Sequence, residues 1–193
     1  MTQRSKIALF ILIATVAVMG YYAFKLKRRA EQLPVRVADT RPVQPPVSGK
    51  SESLTLYIAN DDDEMLHKQA VSTALPEESS ERALRVLRAL ILSYQQKNSR
   101  HALAEGADVN AVFLVAPNTA VVDLNNAFAD GHRSGVLVEQ LTLASMAQTL
   151  AANVPNIGRI KFLVDGKERE RLAGHADIES YYDLSAEPWP VAP

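Results

Sequence analysis

Val109-Asn110-Ala111-Val112-Phe113-Leu114-Val115-Ala116-Pro117-Asn118-Thr119-Ala120-Val121-Val122-Asp123-Leu124 is the stretch on which the fold turns. Val109–Val115 and Ala120–Leu124 are rich in β-branched and apolar residues, and the break between them holds a proline and an asparagine. Proline presets φ for a turn and asparagine tolerates tight backbone, so the stretch predicts a β-hairpin.

Working outward, each side of this hairpin carries a helix. Upstream, apolar residues at Ala83, Leu84, Leu87, Leu90, Ile91 and Tyr94 fall on one face at the 3.6-residue period. Pro76 is placed to open that helix, with Glu77 and Glu78 complementing its N-terminal dipole. Glu78 with Arg82, and Glu81 with Arg85, form i,i+4 pairs, and Arg82, Arg85 and Arg88 read as a solvated charged face. Downstream, Asp130–Gly135 reads as a loop and Val136–Asn153 as a helix. Its buried stripe is Leu137, Leu141, Ala144, Ala147 and Leu150, continued by Val154, with Pro155-Asn156 as the stop.

Strands flank the helices. Leu54–Ala59 alternates and ends at the acidic turn Asn60–Glu64, and Leu66–Leu75 is a second, less regular strand. Arg159–Val164 is a strand, Asp165-Gly166 a two-residue hairpin signal, and Glu168–Leu172 its return. The order predicts an α+β fold: a mostly antiparallel sheet with two helices packed on one face, since neither helix can bury its stripe alone.

The N-terminal quarter is different in kind. Residues 1–50 hold nine basic residues against two acids, a net of +7, whereas the remaining 143 residues hold 12 basic and 20 acidic, a net of −8. Such asymmetry points to a membrane or nucleic-acid contact at one end. The acidic C-terminal part and 6% aromatics exclude a nucleic-acid platform. Ile7–Phe24 is 18 uncharged residues, about 27 Å as a helix, against roughly 30 Å of bilayer hydrocarbon. Tyr21 and Tyr22 suit the interface, and Lys25, Lys27, Arg28 and Arg29 suit lipid headgroups. A cleaved signal would have a shorter apolar run and a small-x-small site, so the segment reads as an uncleaved anchor. The chain then divides into a basic tail (1–6), a transmembrane anchor (7–24), a basic, proline-rich spacer (25–53), a globular domain (54–177) and a tail (178–193). The basic count around the anchor favours a cytoplasmic C-terminal side.

Chemistry is sparse. Zero cysteine excludes a disulfide scaffold, a thiol nucleophile and a thiol-linked lipid. Asp61-Asp62-Asp63-Glu64 lacks the glycine a calcium loop requires, and a solvated turn accounts for it. His67, His101, His132 and His175 have no zinc-hydrolase spacing, so no metal is expected. Gly131-His132-Arg133-Ser134-Gly135 has its serine one place late for a nucleophile elbow, and Gly106, Gly131 and Gly158 make no phosphate-cradling loop. No cofactor is expected. Asp123 and Asp165, at strand ends, and His175 are the residues on which the alternative reading, a cell-wall hydrolase or ligand-binding domain, would rest.

In order along the chain, Leu54-Thr55-Leu56-Tyr57-Ile58, Ala83-Leu84-Arg85-Val86-Leu87, Ala120-Val121-Val122-Asp123-Leu124-Asn125, Gln148-Thr149-Leu150 and Lys161-Phe162-Leu163-Val164-Asp165-Gly166-Lys167 resemble the GerMN domain family of GerM-like sporulation and spore germination proteins. The resemblance spans about Leu54 to Asp177. It implies a compact fold similar to ring-building motifs, a membrane-tethered domain outside the cytoplasm, and a non-catalytic assembly module of the cell envelope. That reverses the orientation given by the charge count: the N-terminus lies inside and the domain is periplasmic, on the outer side of the inner membrane. The implied partners are the membrane, envelope proteins or peptidoglycan, and further copies of the chain. Many relatives carry a lipoprotein cysteine; this chain has none, so Ile7–Phe24 is the expected tether. The Gly-Pro found after the first helix in relatives is replaced around Tyr94-Gln95-Gln96, and one copy of the domain stands where relatives have a tandem.

Overall fold

The computed structural model describes residues 51–184 and 191–192. The basic tail, the Ile7–Phe24 segment, the spacer up to Lys50 and Trp189 lie outside the described residues. Among the described residues no helix is long and apolar enough to cross a membrane.

Among the described residues nine elements follow in order: β1 (Ser51–Asn60), β2 (Met65–Ala74), α1 (Ser79–Tyr94), β3 (Val109–Val115), β4 (Thr119–Leu124), α2 (Asn126–Asp130), α3 (Val136–Asn153), β5 (Arg159–Val164) and β6 (Tyr182–Asp183). The expected α+β class is observed, and β3, β5 and α3 have the bounds read from the sequence. Three of the four strand pairings are antiparallel.

The single expected sheet is, however, two. β1 and β2 form a ten-residue antiparallel ribbon, and β3-β4-β5-β6 form a separate four-stranded sheet. Within the latter, β4 and β5 are parallel, Thr119 opposite Arg159 through Leu124 opposite Val164. The cause is the connection: α2 and α3 carry the chain from the end of β4 back to the start of β5, so β5 enters in the same direction. The expected return strand Glu168–Leu172 is not formed. Asp165 takes φ 47° and Gly166 φ 72°, as a two-residue turn requires, but pairing stops at the Val164–Lys167 bridge. The chain then leaves the sheet, and β6 pairs with β5 at Arg159 and Ile160 instead.

Helix α1 begins later than Pro76. Glu78, in extended backbone, caps it: its carboxylate accepts from Ser80 N (2.9 Å) and Glu81 N (2.6 Å). The cap uses the group expected to pair with Arg82, and Arg82 reaches Glu52 Oε2 on β1 instead (2.6 Å). The buried face is Ala83, Val86, Leu87, Leu90, Ile91 and Tyr94. Leu84 stays partly exposed at the border.

Helix α3 is buried nearly all round, with Leu141, Leu143, Ala144, Met146, Ala147 and Leu150 in the core. Leu137, expected in the stripe, is 38% exposed because it sits in the first turn, beyond the edge of the core. The inward faces of β4 and β5 (Ala120, Val122, Leu124; Ile160, Phe162, Val164) complete one hydrophobic core together with Leu54, Leu56 and Leu66 of the ribbon. The opposite sheet face carries exposed Phe113 and Val115. Between Val109 and Ala111 the β3–β4 register slips by one residue, a bulge at Asn110.

Candidate functional site

The polar side chains of α3 explain its burial. Thr142, Ser145 and Thr149 are fully buried or nearly so, and with Asn153 they recur along one side of the helix. This side runs along the outer edge of β1, where no strand pairs among the described residues. Asn153 Oδ1 accepts from Thr55 N (2.9 Å) and its Nδ2 donates to Thr55 O (2.7 Å). Thr149 Oγ1 accepts from Tyr57 N (3.0 Å), and Ser145 Oγ donates to Tyr57 O (2.5 Å). Tyr94, from α1, accepts from Ala59 N (2.8 Å) and bonds Ser145 Oγ. Burial pushes the Tyr94 phenol up to about 12, so it stays protonated. A helix side thus supplies the donors and acceptors a neighbouring strand would provide, and the buried edge is satisfied.

At the upper end of this column Thr142 joins two histidines. His101 Nε2 and His132 Nε2 each lie 2.7 Å from Thr142 Oγ1, and Thr142 Oγ1 lies 3.0 Å from Val138 O. His101 Nδ1 donates to Asp61 Oδ1 (2.6 Å), and His132 Nδ1 donates to Arg133 O (2.7 Å). Both acceptors take a proton from Nδ1, so the two Nε2 lone pairs and Val138 O all face the single Thr142 hydroxyl proton, and two of these three contacts lack one. Burial nevertheless depresses both imidazole pKa values, against the opposing pull of Asp61 on His101. For Asp61, burial works upward, but hydrogen bonds from Arg133 and His101 hold its carboxyl below the usual range. The acidic run is therefore anchored: Asp61 pairs with His101 and Arg133, Asp62 with Arg100 and Asp63 with His67.

The sign of the resulting pH dependence follows. A histidine whose folded pKa lies below the unfolded 6.5 binds fewer protons when folded, so stability falls as pH drops below 6.5. The urea midpoint of the domain is expected to be lower at pH 5.5 than at pH 8, and a His101→Gln, His132→Gln double substitution is expected to flatten this slope. A midpoint independent of pH over that interval contradicts the assignment.

Glu139 forms a second buried centre. The side chain is wholly buried; Oε1 accepts from Gly135 N (3.0 Å), and Oε2 from Ala173 N (3.1 Å), His175 N (3.0 Å) and Ala176 N (2.8 Å). Burial alone would raise this carboxyl, but the four backbone N–H groups outweigh it and bring the pKa to about 2. Gly135 offers no side-chain cap, so Glu139 closes the first turn of α3 while pinning the 173–176 segment to it.

The sequence-predicted residues fall into separate places. Asp123 and Asp165 share Asn110, whose Nδ2 donates to Asp123 Oδ2 (3.3 Å), Leu124 O (3.4 Å) and Asp165 Oδ1 (3.0 Å). Asp123 Oδ1 also accepts from Gly166 N (2.7 Å). The bulge aims Asn110 at this junction, which ties the ends of β3, β4 and β5 together. His175 belongs to the other cluster: its Nδ1 lies 3.1 Å from Glu139 Oε1 and 3.2 Å from Ser134 Oγ. Serine and carboxylate thus compete for the same ring nitrogen, whereas a nucleophilic relay needs them on opposite nitrogens.

Surface cavities among the described residues include one of about 550 Å³ (Pro117, Asn118, Ile157, Gly158, Arg159, Asp183, Leu184) and one of about 470 Å³ between the ribbon and the end of α1. Neither is lined by Asp123, Asp165 or His175. Among the described residues no group of three or more His, Asp or Glu side chains is placed to hold a metal ion. Sequence reading missed the His101–Thr142–His132 chain and Glu139. The available signal was the polar series Thr142, Ser145, Thr149 and Asn153 on an otherwise apolar helix.

The tandem GerMN domains of the sporulation protein GerM from Bacillus subtilis match at 23% identity and TM-score 0.50, over 70% of this chain and 46% of that one. The first GerMN domain of that protein matches at 22% and 0.47, over 70% of this chain and 98% of that one. A candidate lipoprotein from Clostridium perfringens matches at 21% and 0.48, over 69% and 88%. At 23% identity the tandem bears on the fold alone. No curated protein matches the sequence. The profile of the Germane family, described as sporulation and spore germination, matches residues 55–170, and the chain belongs to this family.

Proposed function

We propose that the chain is a membrane-tethered, extracytoplasmic interaction module of the cell envelope that assembles through its ring-building-motif-like domain and performs no catalysis. The observation that carries this reading is how the titratable groups are spent. Glu139 is saturated by backbone N–H groups, and His101 and His132 face inward on Thr142. Asp123 and Asp165 fasten strand ends through Asn110. Groups committed to partners inside the fold are not poised to exchange protons with a substrate. The uncharged Ile7–Phe24 segment with its basic flank supports the tether, and the proline-rich spacer supports a domain held off the bilayer.

The test is cross-linking of the full chain in intact envelopes, with reporters fused at Pro193 and near Gly49 to fix the side of the membrane. Cross-linked envelope partners or multimers, with an extracytoplasmic C-terminus, are expected. A strictly monomeric chain without partners, or a cytoplasmic C-terminus, overturns the proposal.

A further inference from the structure

The ribbon has two long edges, and among the described residues only that of β1 is covered along its length. β1 is sealed by α3 and Tyr94 at Thr55, Tyr57 and Ala59, so these residues turn their N–H and C=O groups away from β2. Their partners in register are Ala70, Lys68 and Leu66, which by the same alternation point away from β1. At Leu66 that outward position is occupied: Val191 forms a parallel bridge, and Ala192 N donates to Leu66 O (2.9 Å). Beyond it, Lys68, Ala70, Ser72 and Ala74 present an unpaired edge among the described residues.

We propose that this edge of β2, Lys68 to Ala74, pairs antiparallel with the same edge of a second copy of the chain about a two-fold axis at Val71. The pairing names a partner for the interaction module and rests on that reading.

Three observations select this occupant and this register. First, the edge already accepts an extended segment at Leu66, so its geometry suits strand addition. Second, beyond Lys68 at its end, the stretch lacks the devices that protect edges. Gln69–Ala74 carries no charge and no proline, and the β1–β2 register runs through ten pairs without a bulge. Third, the limits on either side leave one symmetric register. A two-fold axis at Ala70 would set Ala74 of the second copy against Leu66, whose carbonyl is taken by Ala192. An axis at Ser72 would set Lys68 against Pro76, which has no N–H to give. With the axis at Val71, Lys68 faces Ala74, Ala70 faces Ser72, and the two Val71 residues meet in a non-hydrogen-bonded pair. The two Lys68 side chains are then separated by six residues, about 20 Å along the strands, and do not repel through physiological salt. The arrangement is isologous and closes, so it yields a dimer rather than a fibre.

The chain has no cysteine, so a single introduced thiol is a clean reporter. Non-hydrogen-bonded antiparallel pairs bring Cα atoms to about 4.5 Å, within disulfide range. Purified full-length Val71→Cys in detergent micelles is expected to form a disulfide-linked dimer under mild oxidation, and Lys97→Cys, on the exposed loop after α1, is expected to stay largely monomeric. Adding Ala70→Pro removes an outward N–H without costing a bond to β1, and is expected to abolish the Val71→Cys dimer with an unchanged far-ultraviolet spectrum. Should that proline disturb the ribbon, Ser72→Lys, which adds like charge to the edge in both copies, is expected to lower dimer yield several-fold. Equal cross-linking at residues 71 and 97, or a Val71→Cys dimer indifferent to Ser72→Lys, overturns the proposal. A Val71→Cys disulfide formed in envelopes to a different protein overturns the second copy as occupant while leaving the interaction-module reading intact.

Discussion

Glu139→Gln is expected to cost about 3 kcal/mol of folding stability at pH 7, and Glu139→Ala somewhat more, out of the roughly 5–15 kcal/mol a domain of this size possesses. The wild-type carboxylate accepts four backbone N–H groups with no solvent access. Glutamine keeps the volume but turns one acceptor into a donor, so an N–H group of the cluster is left facing another N–H. Alanine leaves all four donors without their acceptor, the buried Ala176 N–H among them. The pH dependence separates this role from simple packing. The folded pKa of about 2 lies below the ordinary 4.5, so the contribution of Glu139 is complete above pH 4.5 and is lost as pH falls from 4.5 toward 2. The difference between wild type and Glu139→Gln is therefore expected to shrink across that window. Urea unfolding followed by circular dichroism at pH 7, 4 and 3 measures it. A Glu139→Gln domain as stable as wild type at pH 7, or a gap that stays constant into acid, would falsify the account.

The elements legible in the sequence were those whose period decided their environment. The alternation of Leu54–Ala59 and the 3.6-residue stripe from Ala83 to Tyr94 each report a surface with one buried side, and each formed where expected. Helix α3 had correct ends, but its interior was read only for leucines and alanines. Because it is buried on several sides, its apolar pattern has little direction, and the informative residues were the polar ones that meet β1. The return strand after Gly166 failed for a different reason. Turn chemistry at Asp165-Gly166 is local and was realised, whereas the space beside β5 is allocated by the whole fold and went to Tyr182–Asp183. Asp123 and Asp165 were correctly placed near strand ends, but their shared partner Asn110 depends on a bulge that no spacing rule announces. His175 was singled out alone, and its neighbours Ser134 and Glu139 lie 41 and 36 residues away in sequence. Contacts over such separations are products of topology, which is why the candidate site was less legible than the fold.

That same dependence on non-local contacts makes Asn153 the most exacting position on the α3–β1 seam. One amide satisfies both backbone groups of Thr55, donates to Thr149 O (2.6 Å), and lies beside the carbonyl of its own residue, which accepts from Arg82 Nε (3.2 Å). Asn153→Leu keeps a side chain branched at Cγ and favours helix, so intrinsic propensity predicts a neutral or stabilising change. The seam predicts the opposite: the Thr55 N–H and C=O lose their partners at a half-buried edge, at a cost of about 2–4 kcal/mol. Asn153→Asp sharpens the distinction, since it keeps the acceptor for Thr55 N but places a second acceptor against Thr55 O; it is expected to be at least as damaging at pH 7 as leucine and to recover when the carboxyl is protonated below about pH 4. Backbone amide exchange supplies the local readout. In Asn153→Leu the amides of Thr55 and Tyr57 are expected to exchange faster while those of Val122 and Phe162, in the other sheet, keep the protection set by global stability. Uniform loss of protection across both sheets would mean that the ribbon and the four-stranded sheet unfold as one unit, and that the seam is a part of the core like any other.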